Sequence, residues 1–461
     1  MRRPSRDATG ILRETVRRSL QAHVPRGAPL ALGLSGGRDS IVLLDALSAL
    51  APPLGHTVTA IHVHHGLSAN ADAWAQFCAD RCATLGVAHV VRKVDVDPPP
   101  RTSLEAVARA ARYAALADAA RAASAAVVAL AHHRDDQAET LLLQLLRGAG
   151  PHGLSAMPAV RVDSAGIAWW RPLLELSRAD VDAYARDRSL AWIEDESNAD
   201  RRHARNAVRQ SVMPALREVA PHADAVLARA AAHQAEAAGL LDELAAHDAQ
   251  QALEGTALRR AALLDLSPHR GRNLLRWFLR GQGLPAPSSA RLAAMLDQLR
   301  GARIDAMVRL AHAGTEIGVH QGRIVVHPAR SAPFDLPWSG ESRLALPHGV
   351  LEFERALGRG MDAERLSSAA VRVRPRAGGE RFQLAPDRPR RALKSILRDS
   401  GIPAWERCDL PLVFCGDALA AVAGVGVDAG FRARPTQPGV TVAWHPTPRR
   451  ARTEAGGRAP P

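Results

Sequence analysis

The sequence is short of lysine, cysteine and aromatic residues, and it has no long apolar run. Each shortage excludes something. Of 60 basic residues only Lys93 and Lys394 are lysine. With the many alanines, that bias points to GC-rich coding rather than to a special arginine chemistry. The four cysteines, Cys78, Cys82, Cys408 and Cys415, are too few and too scattered for a disulfide framework or a paired CxxC zinc site. Cys78 and Cys82 lie four apart on an expected helix and read as reduced core thiols. No stretch approaches the roughly 20 consecutive apolar residues of a membrane span. The start, Met1–Asp7, is basic but has no apolar segment behind it, so a secretory signal is not expected. These features predict a cytoplasmic protein with no membrane partner.

What is present is ordinary for a folded chain. The 461 residues suggest about three folding units at roughly 150 residues each. Apolar residues make up 47% and charged residues 23%, which excludes wholesale disorder. Lys+Arg is 60 against Asp+Glu 47, a formal charge of +13 with a pI near 10.9. A surplus of that size concentrates polyanions near the surface and favours phosphate-bearing partners.

Residues 29–215 alternate between strand and helix patterns. Strands are expected at Leu30–Leu34, Val58–His64, Val87–Val96 and Ala126–Ala131. Helices are expected at Ser40–Leu50, Ala73–Leu85, Leu104–Ala123 and Gln137–Arg147. The third strand stops at Pro98-Pro99-Pro100, which cannot continue a ladder. Such alternation implies a parallel sheet covered on both faces, with ligands beyond the carboxyl ends of its strands. That rule places Ser35–Ser40, His62–Leu67 and His132–Glu139 along one rim. From Pro221 to Leu310 the chain is alanine-rich and helical, and beyond Ile324 it breaks into short β-like runs. The expected division is an extension at 1–27, a catalytic domain at 28–217, a helical middle domain at 218–335, a small α+β domain at 345–443 and a disordered tail at 444–461.

Four segments carry chemistry. In Leu32-Gly33-Leu34-Ser35-Gly36-Gly37-Arg38-Asp39-Ser40 a strand runs through two glycines into a helix. Gly36 and Gly37 let backbone amides approach an anion, and the helix points its positive end at the same place. The segment is neither a Walker loop nor GxGxxG. The second, His132-His133-Arg134-Asp135-Asp136-Gln137-Ala138-Glu139-Thr140, places Asp136 and Glu139 on one helical face. The pair could grip an ammonium group, the His/Asp/Glu cluster could bind a metal, or the acids could simply favour a helix start. The third, Glu105-x-x-x-Arg109-x-x-Arg112-Tyr113, offers two arginines to one anion or an ordinary Glu105–Arg109 pair. The fourth joins Asp195-Glu196-Ser197-Asn198 to Arg202, Arg205-Asn206 and Arg209, a polar block that is also readable as a solvated basic face. Further on, Arg372–Arg398 is crowded with cations and contains only Glu380 and Asp387 as acids. Trp405 could stack on RNA or be buried structurally.

Taken together these motifs resemble the tRNA(Ile)-lysidine synthetase family of PP-loop ATP pyrophosphatases. Ser35-Gly36-Gly37-Arg38-Asp39-Ser40 resembles the superfamily loop. The His62–Leu67 and His132–Thr140 elements, Arg147-Gly148-Ala149-Gly150, Arg171-Pro172-Leu173-Leu174, Arg205-Asn206-x-x-Arg209, Arg374–Glu380 and Gly401-Ile402-Pro403-x-Trp405-Glu406-Arg407 narrow it to the family. The resemblance implies a Rossmann-like, adenine nucleotide alpha-hydrolase-like parallel-sheet domain, then a helical middle domain and a small α+β domain. It implies a carbon–nitrogen ligase: ATP adenylates the C2 oxygen of cytidine 34 in a CAU-anticodon tRNA(Ile). The ε-amine of L-lysine then displaces AMP to give lysidine.

By the same resemblance Ser35, Gly36, Gly37, Arg38, Asp39, Ser40, His64 and Arg112 bind ATP, with Asp39 also holding Mg²⁺ through pyrophosphate. Asp136 and Glu139 bind lysine. Asp39, Asp136, Glu139 and Arg205 form the catalytic set, supported by His133, Asn198, Asn206 and Arg209. Arg374, Arg376, Arg390, Arg391 and Lys394 contact tRNA, and a homodimer is compatible with the sequence. A PP-loop tRNA 2-thiolation enzyme and a non-catalytic RNA-binding protein are the alternatives. A thiolase would call for cysteines near the loop.

Overall fold

In the first unit, residues 1–240, the chain runs α1 (Ala8–His23), β1 (Leu30–Gly33), α2 (Arg38–Leu50), β2 (Val58–His64), α3 (Ala71–Leu85), β3 (Ala88–Lys93), α4 (Leu104–Ala122), β4 (Val127–Ala129), α5 (Arg134–Leu146), α6 (Pro151–Leu154), β5 (Val160–Val162), β6 (Ala168–Trp170), α7 (Arg178–Asp187), α8 (Ala204–Ala207), a π-helical turn (Val208–Val212) and α9 (Met213–Val219). The computed structural model describes residues 7–66, 68–95, 104–196, 200, 202–302, 308–329 and 333–447. Among them no helix is long and apolar enough to cross a membrane.

The six strands order as β3-β2-β1-β4-β6-β5. All pairs are parallel except β5 with β6. Parallel strands are buried on both faces, so alternate residues of one strand enter different cores. Leu30 and Leu32 of β1, with Val127 and Ala129 of β4, pack on one side against α1, α2, α3 and α7. Ala31 and Val128 pack on the other against Leu116, Ala117 and Ala120 of α4. Strand order reverses direction between β1 and β4, and at such a switch point the two following loops diverge and leave a crevice. Those loops are Leu34–Gly37 and Leu130–His133.

Most expected elements are found with shifted ends. Helix α2 begins at Arg38, not Ser40, because Gly37 is extended (φ −69°, ψ 159°) and serves as its N-cap. Helix α5 begins at Arg134, not Gln137, which brings Asp135 and Asp136 into its first turn. Strands β5 and β6 have three residues each, too short to show a period in sequence; burial of Trp169 and Trp170 makes β6, and β5 is the largely exposed edge strand paired to it. Trp170 packs with the α1 side, its indole N–H donating to Ser19 Oγ at 2.9 Å, and Trp169 packs with the α4 side.

Residues 8–23, expected to lie in an N-terminal extension, belong to this core. Leu12, Val16 and Leu20 of α1 are fully buried beside Leu43, Leu47 and Trp170. Their four-residue spacing is a helical stripe. A buried polar knot fixes the same corner. Asp45 accepts from Tyr184 Oη at 2.6 Å and from Arg188 Nε at 3.2 Å, and Arg13 Nη2 lies 3.8 Å away.

The second unit, 241–461, is helical where expected, at Pro268–Gly281 and Ser289–Gly301. Ser267 and Ser288 cap these helices by accepting from Arg270 and Arg291 N–H. The middle region also folds a five-stranded antiparallel sheet in the order Leu253–Glu254, Ala257–Arg259, Arg323–Pro328, Thr315–His320, Arg309–His312. Leu258, Leu274, Phe278, Leu296, Ile317 and Ile324 form its core. Beyond residue 333 two further larger sheets follow, sharing the core of Leu351, Phe353, Val373, Val413 and Val440. Their last strand, Pro438–Pro446, pairs along Gly349–Leu357 and so runs past the boundary expected at 443. Residues 1–6 and 448–461 lie outside the described residues.

Burial of α1 has a measurable consequence. Leu20→Ala removes a fully buried side chain and should destabilise the first unit by about 2–5 kcal/mol, read as a lowered denaturation midpoint. An unchanged midpoint would show that α1 is not core.

Candidate active site

Of the two glycines of the first motif, Gly36 does what its position demands, while Gly37 has an ordinary φ of −69°. Gly36 has φ +84°, and a Cβ there would lie 2.6 Å from Ile193 Cδ1 and 3.2 Å from Cys78 Sγ. Only glycine fits between that left-handed turn and the floor beneath it. The floor is tied on by Ile193 N–H donating to the Gly36 carbonyl at 2.9 Å. Ser35 and Ser40 brace the turn from inside: Ser40 Oγ donates to Gly37 O at 2.8 Å, Gly37 N–H donates to Ser35 Oγ at 3.3 Å, and the two hydroxyls lie 3.1 Å apart. The first intrahelical bond of α2 is Ile41 N–H to Gly37 O. The amides of Arg38, Asp39 and Ser40 therefore precede the ladder, at the positive end of the helix.

Arg38 fills the variable position of the motif, yet it is not idle. Its guanidinium bonds Asp182 and reaches Asp39 Oδ1 at 3.0 Å. Burial by itself would raise the Asp39 carboxyl. The hydrogen bond and charge of His133, with Arg38, overcome it and hold the group at about 2. Asp39 is thus ionised throughout the neutral range. Sequence offers no sign of the Asp182 partner, because the contact is made by the fold alone.

His133 links the glycine turn to the acid motif. It is 1% exposed, and its Nε2 lies 3.6 Å from both Asp39 and Asp136, with Nδ1 3.8 Å from Asp135. Burial disfavours its charge, but the three carboxylates outweigh burial and raise its pKa above the usual 6.5. His132 goes the opposite way, driven down chiefly by burial. The two adjacent imidazoles are thus pushed in opposite directions, His133 toward the cation and His132 toward the neutral ring. Asp136 is likewise pushed up by burial but held below the usual range by His133, His132 and the His133 amide, which donates to its Oδ2 at 3.0 Å.

Asp136 and Glu139 do project from one face of α5, 7% and 3% exposed. Arginines meet them there. Arg209 forks onto Glu139, Nε to Oε1 at 2.6 Å and Nη2 to Oε2 at 3.0 Å, and Nη2 reaches Asp136 Oδ1 at 3.3 Å. Arg205 Nε is 3.6 Å from Glu139, while its Nη2 donates to Thr140 Oγ1 at 2.6 Å. Asn206 donates to the Asp200 carbonyl at 2.9 Å and so ties down the loop before α8. Arg205 and Arg209 are not a solvated face. They close the acid pair. Among the described residues no group of three or more His, Cys, Asp and Glu side chains is arranged to hold a metal ion.

The remaining expected residues spread along the rim. His64 ends β2 and its Nε2 lies 3.1 Å from Asp72. Arg112 is exposed on α4, close enough to His65 to join burial in lowering that ring. Arg109 lies over the Tyr113 ring at 5.2 Å. Leu67, Ser197 and Asn198 lie outside the described residues. Cys78 and Cys82 are buried free thiols, pushed by burial up to about 12 and about 11. Thiols so raised are protonated and poor nucleophiles, which opposes sulfur-transfer chemistry.

In the second unit the basic segment divides in two. Arg374 is stacked over Phe414 at 4.2 Å and Arg376 lies 3.4 Å from Glu380. Arg390 donates to Asp428 at 2.7 Å and Arg391 to Asp399 at 2.6 Å. Asp428 is buried, so Arg390 is also structural. Arg388, Lys394 and Arg398 are exposed. Trp405 stacks on His327 at 4.2 Å and meets His320 edge-on at 5.8 Å, which is the structural reading of that residue.

Known proteins match this chain in three segments. A PP-loop domain model matches residues 12–216, a TilS substrate binding domain model residues 258–325, and a TilS substrate C-terminal domain model residues 371–444. The tRNA(Ile)-lysidine synthase of Nitrosomonas europaea is 42% identical over 436 residues, covering 93% of this chain and 94% of that one. The one from Ralstonia nicotianae is 43% identical over 444 residues, covering 92% and 94%. That of Azoarcus sp. is 42% identical over 419 residues, covering 90% and 92%. Identity at this level, running nearly end to end through all three matched domains, means that the chain belongs to the tRNA(Ile)-lysidine synthase family.

Proposed function

We propose that this chain is an ATP-dependent carbon–nitrogen ligase of the cytoplasm that converts cytidine 34 of CAU-anticodon tRNA(Ile) to lysidine. One observation carries the reading. A single buried imidazole, His133, stands 3.6 Å from both the loop carboxylate Asp39 and the acid Asp136, whose charges favour its protonated form. An anion-binding turn and a cation-binding acid pair are therefore two halves of one charge network.

The chemistry needs both halves. The C2 oxygen of a cytosine is a poor leaving group and AMP a good one, so adenylation comes first. The amides at the start of α2, with Gly36 and Gly37, receive the phosphate chain and stabilise charge as the inner phosphorus expands. Asp39, ionised and at the loop, has the hard oxygen donors that Mg²⁺ takes together with phosphate oxygens. When bound there, the ion would supply charge neutralisation on the departing pyrophosphate. Arg112 and His64 border the same rim and serve the nucleotide.

The second step faces a different obstacle. A lysine ammonium with a pKa of about 10.4 is deprotonated in only about one molecule in 2,500 at pH 7, equivalent to roughly 4.6 kcal/mol. Asp136 and Glu139 hold that ammonium and aim it at C2. Asp136, kept below the usual carboxylate range, orients the group and is a weak proton acceptor. In the second unit exposed cations such as Arg388, Lys394 and Arg398 give tRNA affinity through phosphate contacts, which set register and not sequence.

Incubation with tRNA, ATP and lysine should yield lysidine by nucleoside mass spectrometry, with AMP released. Asp136→Asn should raise the lysine requirement about tenfold to a hundredfold and spare lysine-independent ATP–pyrophosphate exchange; equal loss of both would refute its role. The stability margin of wild type over His133→Asn should be full below pH 6.5 and shrink as pH rises through the raised His133 pKa; a margin constant from pH 6 to 9 would contradict a folded-state imidazolium. Arg388→Gln with Lys394→Gln should weaken tRNA binding and flatten its salt dependence by roughly one unit of slope for each phosphate no longer neutralised, leaving untouched the buried Asp428 that Arg390 serves.

A further inference from the structure

The acid pair assigned to lysine is already filled. Glu139 and Asp136 are buried, and Arg209 satisfies both with one planar fork. Arg205 and His133 complete the local charge, at 3.6 Å from Glu139 and from Asp136. Both Glu139 oxygens and Asp136 Oδ1 are taken by Arg209, and His133 is shared with Asp39 and Asp135. An incoming ammonium would have to share oxygens already bonded to a guanidinium, in a setting where an unbalanced buried charge is penalised by several kcal/mol. Lysine therefore cannot enter by addition. It must enter by exchange.

Of the three cations, Arg209 is the one able to leave. Arg205 is committed to Thr140 at 2.6 Å, and His133 is enclosed among three carboxylates. Arg209 and Arg205 are equally exposed, at 28% and 27% of the side chain, but it is Arg209 that bonds both acids and stands on the π-helical turn Val208–Val212. Such turns interrupt the regular ladder and recur at functional sites. It is also near enough to the nucleotide loop for the charge of Asp39 to act on it. A guanidinium between an acid pair and a phosphate site has two competing anionic partners. A nucleotide triphosphate carries more charge than the pair and offers the same bidentate oxygen geometry.

We infer that Arg209 is a stand-in for the lysine ammonium, and that a nucleotide in the loop draws its guanidinium off Glu139 and Asp136 and opens the pair to lysine. This rests on the assignment of that pair to lysine. ATP and lysine then bind with positive coupling, and by linkage each strengthens the other equally. The pair is never left as two unbalanced buried anions. Free lysine is admitted only to an enzyme already charged with the nucleotide that will activate the base.

The test is calorimetric titration of L-lysine into the full-length protein, with and without α,β-methylene-ATP, which the enzyme cannot split. In wild type the analogue should tighten lysine binding about tenfold or more. Arg209→Gln should bind lysine without nucleotide more tightly than wild type does, and its coupling should fall to about twofold or less. Arg209→Lys, which keeps a cation at the site, should retain coupling in the same direction. Equal lysine affinity with and without the analogue in wild type would overturn the proposal whatever the variants do. So would full coupling in Arg209→Gln. Absence of lysine binding to wild type even with the analogue and tRNA would overturn the assignment of the acid pair itself, and the stand-in role with it.

Discussion

Four carboxylates, Asp39, Asp135, Asp136 and Glu139, are gathered where β1 and β4 end, and they cannot stay ionised together unless cations are gathered with them. His133, Arg38, Arg205, Arg209 and Arg217 are those cations, each within 4 Å of at least one acid. They arrive from α2, the start of α5, α8, the π-helical turn and α9. The balance therefore exists only in the folded unit, and it also fixes the helices that supply it. Asp135 illustrates the point: it accepts from Arg178 N–H at 2.9 Å and lies 3.4 Å from Arg217, joining α5 to α7 and α9. The same carboxylates favour the charged form of His133, while burial keeps the adjacent His132 neutral.

What is legible in the sequence is what is local. The glycine turn, the helix behind it and the i,i+3 acids are properties of a few consecutive residues, and they stand where the motifs place them. The stripe Leu12, Val16, Leu20 is equally local, yet helix periodicity does not say which core a helix joins. Strands β5 and β6 are not legible, since three residues show no period and the burial of β6 comes from neighbours far along the chain. Arg209 is visible as one of three arginines at helical spacing. That it reaches Glu139 depends on how the fold sets α8 and the π-helical turn against α5, which spacing alone does not give. Arg38 occupies a position that the motif leaves open, and only the fold reveals its bond to Asp182.

In the basic segment of the second unit, a count of cations overstates the number available to a partner, because the fold has already used several. Arg374 covers Phe414, Arg376 pairs with Glu380, and Arg390 answers a carboxylate that is itself inside the protein. Arg388 and Lys394 stand exposed on loop and helix surfaces, and Arg398 is exposed beside Asp399 at 3.7 Å.

Asp428 holds the Gly430 and Gln383 amides and the Arg390 guanidinium through its two oxygens at 2.7–3.0 Å. An arginine loose in water forfeits up to about 2 kcal/mol of rotamer entropy when it is immobilised. Arg390 has surrendered that freedom during folding: its guanidinium is held beside Asp428 as part of the fold, and the two amides on the same carboxylate lock the neighbouring turn at 428–430 in place with it.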